Sequence, residues 1–163
     1  MKRYLFILLF CHSIILLANC APKAVVTEKP LTELIQPETS PQKAASLRLT
    51  EEGKAYLQSG NLIKASDVLE KAITIDTSNP YAYYYFAKLR SEKGEHKQSL
   101  GLLSKAEILF KDNPFYLSSV YSLMGKNHEL LFQYNDAKKR YEQALKLNAE
   151  NIEAKEGMER LPK

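Results

Sequence analysis

The sequence predicts an all-α protein: an α-solenoid of about three helix-turn-helix repeats closed by a C-terminal capping helix. Three observations predict it. From Ala44 onward apolar residues recur at intervals of three and four, the helical period, and strand-like alternation is absent. Glycines such as Gly60 and Gly94 stand between the apolar blocks. The chain also resembles itself, since "SGNLIKASDVLEKAITIDTSNP" at 59–80 aligns with "KGEHKQSLGLLSKAEILFKDNP" at 93–114.

In that alignment Gly60 matches Gly94, Ala65 matches Ser99, Leu69 matches Leu103, Ala72 matches Ala106 and Asn79-Pro80 matches Asn113-Pro114, a period of 34. A third copy at 132–151 puts Ala137, Tyr141 and Ala144 in the same columns at a period of 38. Four extra residues are about one helical turn and keep the facing nearly unchanged, so they belong at the start of the preceding helix. The pattern predicts helices over 44–58, 62–75, 80–92, 95–109, 114–131 and 134–147. Asn79-Pro80 and Asn113-Pro114 supply an N-cap and a first-turn proline. A short seventh helix over 151–161 has Ile152, Met158 and Leu161 on one face, which suits a terminal cap.

These columns resemble the tetratricopeptide repeat. Gly53, Ala87 and Gly125 are the small residues expected where the two helices of a repeat cross. Ala65, Ser99 and Ala137 stand early in each second helix, and Ala72, Ala106 and Ala144 later. A large side chain in any of them would hold the helices apart. The chain departs from the pattern at Arg90 and His128, where a tyrosine is expected, and at Thr77, Lys111 and Ala149, where a proline is.

The run "PYAYYYF" at 80–86 is then one helix of the solenoid. Tyr83, Phe86, Ala87 and Arg90 share a face, leaving Tyr83 and Phe86 for the core. The resemblance implies a concave groove lined by the first helices of the repeats. By column, Leu47, Thr50, Lys54 and Leu57, then Tyr81, Tyr84, Lys88 and Ser91, then Ser119, Ser122, Lys126 and Glu129 would face it. The candidate partner-binding residues are Lys54, Tyr81, Tyr84, Lys88, Ser122 and Lys126. Three lysines in one column suit a peptide of acidic character, and tyrosines supply stiff contact area. Lysine is also abundant enough for the column to arise by composition. The carboxylate clamp of chaperone-binding relatives, with its paired asparagines, is not present.

The N-terminus has a different character. Residues 1–19 read as a signal peptide: Lys2 and Arg3 precede an apolar run from Tyr4 to Leu17 that is interrupted by His12 and Ser13 and short for a membrane span. Leu17-Ala18-Asn19-Cys20 resembles a bacterial lipobox, though Asn19 departs from its small-residue preference. The resemblance implies cleavage before Cys20, lipidation of that cysteine and a lipid-anchored protein of the bacterial envelope. Ala21, rather than Asp, favours the outer membrane in an organism that has one. An ordinary signal peptide followed by a chance cysteine is the alternative. Residues 20–43, with Pro22, Pro30, Pro37 and Pro41, read as a flexible tether, with packing around Leu31, Leu34 and Ile35 the alternative. Residues 44–163 form the repeat domain.

Cleavage would remove Lys2 and Arg3 and lower the formal net charge from +4 to +2, a balance unsuited to nucleic acid. It would also leave no cysteine beyond Cys20, so no disulfide and no cysteine metal site are expected. His96 and His128 form no metal-binding pair, and phosphate loops and nucleophile elbows are absent from the sequence. The expectation is a non-catalytic interaction module that binds a protein or peptide without cofactor, metal or small-molecule substrate. A permanent structural subunit, packed through its convex face or terminal helix, is the alternative.

Overall fold

The computed structural model describes residues 29–162. Seven helices follow a 3-10 turn at Leu31–Leu34: α1 Pro41–Gln58, α2 Leu62–Ile75, α3 Pro80–Glu92, α4 His96–Leu109, α5 Pro114–Leu130, α6 Tyr134–Leu147 and α7 Ile152–Arg160. No strand occurs among the described residues. α1–α2, α3–α4 and α5–α6 pack as hairpins. Successive hairpins stack so that α1 touches α3 and α3 touches α5, while α7 closes the far end against α5 and α6. The first helices therefore form one wall of the solenoid.

Small residues set the spacing. Ala65, Ser99 and Ala137, and likewise Ala72, Ala106 and Ala144, are fully buried where the helices meet. A Cβ on Gly53 would come within 2.7 Å of Leu69 Cδ2, so only glycine lets α1 approach α2 this closely. Leu69, Leu89 and Leu103 fill the layers between hairpins, each contributing about 2 kcal/mol by burial. The third repeat places Tyr141 in the same column, where it is also fully buried.

Caps end the helices where the sequence places them. Asn79 Oδ1 accepts from the backbone N–H groups of Tyr81 and Ala82, and Asn113 Oδ1 from that of Tyr116. Gly60 and Gly94 turn the chain between the helices of the first two repeats at φ 75° and 77°, in the left-handed region. In the third repeat Phe132 takes that place at φ 59° with its side chain exposed. The four-residue extension is also where it was expected: α5 has 17 residues and α3 has 13.

The first helix corrects the expected boundary. α1 begins at Pro41 rather than residue 44, with Ser40 Oγ accepting from the Lys43 N–H and Pro41 in the first turn. Within the described part of the expected flexible tether Leu31 and Ile35 pack against the repeats, in line with the alternative of packing there, while Leu34 is exposed. Leu31 is 2 % exposed, clusters with Leu47, Leu57 and Tyr85, and donates its N–H to Glu51 Oε2 at 2.7 Å. A short turn needs one apolar anchor and one hydrogen bond, so it leaves no periodic mark in the sequence. The expected signal segment, the lipobox with Cys20 and the first part of the tether lie outside the described residues.

Candidate functional site: the concave groove

The first-helix wall encloses a groove of about 1140 Å³ between the 3-10 turn and α7. α1 contributes Lys54 and Leu57, α3 contributes Tyr81, Tyr84 and Lys88, and α5 contributes Phe115, Tyr116 and Ser119. Ile152 and Glu153 of α7 stand at the far rim, and Lys29, Pro30, Leu31, Glu33 and Leu34 at the near one.

The aromatic side chains form one connected cluster. Tyr81 stands edge-on to Phe110 at 5.0 Å and to Tyr116 at 4.8 Å, while Phe110 and Tyr116 stack at 5.0 Å and 7°. Tyr84 lies edge-on to Tyr85 at 5.2 Å and to Tyr116 at 6.5 Å. Such pairs gain about 1 kcal/mol each beyond burial and fix the ring orientations. Tyr81 and Tyr84 are therefore half-buried, rigid parts of the wall, held by the same rings that pack α3 against α5. Phe86 is buried, as expected, while Tyr83 is only partly so; Tyr85 is buried. Phe115 and Tyr116 were missed as site residues. Both sit in the extra first turn of α5, so the four-residue extension supplies much of the groove's aromatic surface.

The lysines do not make an open ladder. Lys54 is 7 % exposed, with its Nζ 5.6 Å from the Tyr85 ring centre and 3.9 Å from Glu51 Oε1. Its charge is engaged by Glu51 of its own helix and by the Tyr85 ring of α3. Lys88 is half-buried within the groove, and no ion-pair partner for it occurs among the described residues. Lys126 is exposed and lines a separate hollow of about 290 Å³, together with Glu129, Glu153, Glu156 and Arg160. The three share a column but not an environment, because Glu51 and the Tyr85 ring engage the first and α7 brings carboxylates to the third.

Ser122 and Thr50 also depart from the groove expectation. Ser122 is 1 % exposed and donates to Asn151 Oδ1 at 2.9 Å. Asn151 Nδ2 donates to Ser118 Oγ, whose hydroxyl donates to the Ala144 carbonyl. The first repeat builds the same network: Asn79 Nδ2 donates to Ser46 Oγ and Thr50 Oγ1, and Ser46 donates to the Ala72 carbonyl. In the middle repeat these columns hold Pro80 and Tyr84, which cannot reproduce it. The middle of the wall is thus the part given over to aromatic surface.

At the α7 end, Glu129 accepts from the Arg160 guanidinium at 2.9 and 3.1 Å and from the Tyr141 hydroxyl at 2.6 Å. The Arg160 hydrogen bond first, and the Tyr141 hydroxyl after burial is offset, hold the Glu129 carboxyl below the usual range. Burial foremost, then the Glu129 carboxylate, pushes the Tyr141 hydroxyl up. His96 Nδ1 pairs with Asn127 Oδ1 and His128 Nδ1 with Gln133 Oε1. Among the described residues no cluster of His, Cys, Asp and Glu could hold a metal ion, and no helix is long and apolar enough to cross a membrane.

Residues 49–79 and 118–151 match the model of the tetratricopeptide repeat. The OM64 tetratricopeptide domain of Arabidopsis is 26% identical, covers 73% of this chain and 95% of that one, and has a TM-score of 0.67. The first tetratricopeptide domain of Spaghetti (RPAP3), solved with the HSP90 peptide SRMEEVD, is 24% identical over 72% of this chain and 90% of that one, at a TM-score of 0.66. The second such domain of human RPAP3, solved with the HSP70 peptide SGPTIEEVD, is 17% identical over 73% and 96%, at 0.65. The chain's all-helical solenoid is similar in fold to these tetratricopeptide domains.

Proposed function

We propose that this chain is a non-catalytic, lipid-anchored adaptor of the bacterial envelope whose concave groove holds a segment of another protein. The observation that carries the reading is the rigid aromatic wall of Tyr81, Tyr84, Phe115 and Tyr116 around an open groove of about 1140 Å³. Stiff amphipathic rings offer contact area at small entropic cost, which favours protein recognition. Tetratricopeptide neighbours of the same fold hold peptides, which supports the use of this wall.

The chemistry of the wall differs from an acid-binding clamp. Lys54 is engaged with Glu51 and Tyr85, so Lys88 is the cation of the first-helix wall left to the groove, with Glu92, Glu150 and Glu153 also on its lining. The occupant is an extended segment that presents apolar side chains to the tyrosines and at most one acidic group to Lys88. The envelope assignment rests on the lipobox-like Leu17-Ala18-Asn19-Cys20. A lipid at Cys20 would hold the domain at a membrane and raise the effective concentration of a partner there, so a micromolar groove would stay occupied.

In-cell photo-crosslinking at Tyr84, with buried Ala72 as control, tests this. A discrete protein adduct at Tyr84, reduced by Lys88→Glu, supports the groove. No adduct at Tyr84 in envelopes containing the folded protein sinks it. The second reading, a permanent structural subunit, draws on Ile63 and Ile108 of the second helices, which are 79% and 65% exposed. It predicts adducts at those two positions instead.

A further inference from the structure

The wall is open along the second repeat and closed along the first, and what closes it is the chain's own segment. Leu47 and Lys54 of α1 are buried, whereas Tyr81 and Lys88 in the same columns of α3 are partly exposed. Leu31 fills the difference. It packs with Leu47, Leu57 and Tyr85, and its N–H meets the Glu51 carboxylate at 2.7 Å. The turn holds on as a bound peptide would, through one apolar side chain in a pocket and one charge-assisted backbone hydrogen bond.

The turn is also weakly tied to the rest. Its own hydrogen bonds are Glu33 N–H to the Pro30 carbonyl and Ile35 N–H to that of Thr32. Leu34 is 44% exposed and Lys29 and Glu33 pair in solvent at 3.9 Å. The segment Gln36 to Ser40 joins it to α1 with local bonds only, Gln36 N–H to Thr39 Oγ1 and Thr39 N–H to the Gln36 carbonyl. Leaving would expose Leu31 and the partly buried Ile35 and release one carboxylate, while the hydrogen bonds within the hairpins stay as they are.

We propose that Lys29–Ile35 is a detachable occupant of the first repeat's section of the groove, and that the pocket it vacates takes a leucine-bearing segment of a partner. The partner's chemistry is written in the occupant: a leucine that follows a proline, a free N–H for Glu51 and a second apolar residue four positions on, where Ile35 packs. This deepens the groove reading and rests on it, lengthening the bound segment from the second repeat into the first. Because the occupant is covalently attached, its effective concentration is high, and it sets a threshold that a partner must exceed.

Two measurements on the full chain decide. Native-state hydrogen exchange should show the Leu31 amide at least ~100-fold less protected than the Leu69 amide of α2, as expected for local rather than global opening. A fluorescent peptide, EKPLTELIQ, copying residues 28–36, should bind Leu31→Asp at least ~10-fold tighter than wild type, because the variant's own turn no longer competes. Adding Glu51→Ala should weaken that binding about tenfold. Equal protection at Leu31 and Leu69, equal peptide affinity for both chains, or loss of helix content in Leu31→Asp would each overturn the proposal. A Tyr84 adduct found alongside any of these leaves the groove standing without the detachable turn. Peptide binding without a Tyr84 adduct leaves the pocket and removes the wider groove.

Discussion

The ring of Tyr141 occupies the space that a Cβ on Gly157 would need, so α7 seats its glycine flat on the aromatic face. Gly125 of α5 meets the same ring from the other side, where a Cβ would lie 2.6 Å from Cδ1 and Cε1. The hydroxyl is held by Glu129, so the ring cannot move aside. Gly157→Ala should therefore cost ~1–3 kcal/mol and lower the unfolding midpoint by several degrees, measured by thermal and urea denaturation. Gly101, whose added Cβ would meet nothing within 4 Å, is the control: Gly101→Ala should be neutral or stabilising.

Asn79 and Asn113 share a sequence context but not a structural role. Both cap a helix, yet only Asn79 also donates to the buried Ser46 and Thr50 hydroxyls. Asn113→Ala should cost about 1 kcal/mol, the worth of a cap. Asn79→Ala should cost ~2–3 kcal/mol, because two buried hydroxyls also lose the hydrogen bond they accept. Equal losses in urea titrations would show that the buried network adds nothing.

That contrast marks what could be read from the chain. Local signals placed α2, α3 and α6 at their observed bounds, because periodicity, caps and small-residue columns act within a few residues. The groove tyrosines were legible for the same reason. Two features were not. Lys54 and Ser122 share columns with groove residues, yet both are buried, Lys54 against Glu51 and the Tyr85 ring of the next repeat and Ser122 against Asn151 at the start of α7. The Leu31 anchor is a single residue without period, in a proline-rich stretch that reads as tether. Phe132, in the left-handed position held by Gly60 and Gly94, breaks the turn signal at its own site.

Lys54 and Lys88 should separate when each is changed to Glu. Lys54→Glu would bury a second carboxylate beside Glu51 and lose the contact with the Tyr85 ring, so it should destabilise by ~2 kcal/mol or more. Lys88→Glu changes the groove without disturbing an ion pair and should stay within about 0.5 kcal/mol of wild type. Circular dichroism melts of the two variants check this. If the order reverses, Lys88 is structural and cannot serve as a probe of binding.

Acid should loosen α7 before the hairpins. The Arg160 guanidinium, foremost, and the Tyr141 hydroxyl hold the Glu129 carboxyl below its ordinary value of about 4.5. A carboxyl whose pKa is lower folded than unfolded contributes fully above the unfolded value, and the contribution fades as pH falls through the folded one. The effect therefore appears below about pH 4.5, not near neutrality. Arg160 is about half exposed, so the contribution is modest and screened by salt. Hydrogen exchange of α7 amides relative to α2 amides, followed from pH 6 to pH 3 with intrinsic-rate correction, should show α7 losing protection first. In Glu129→Gln, which keeps an acceptor but cannot titrate, that selective loss should shrink. If it persists unchanged, acid acts on other carboxylates and the Glu129–Arg160 pair does not set the pH at which α7 lets go.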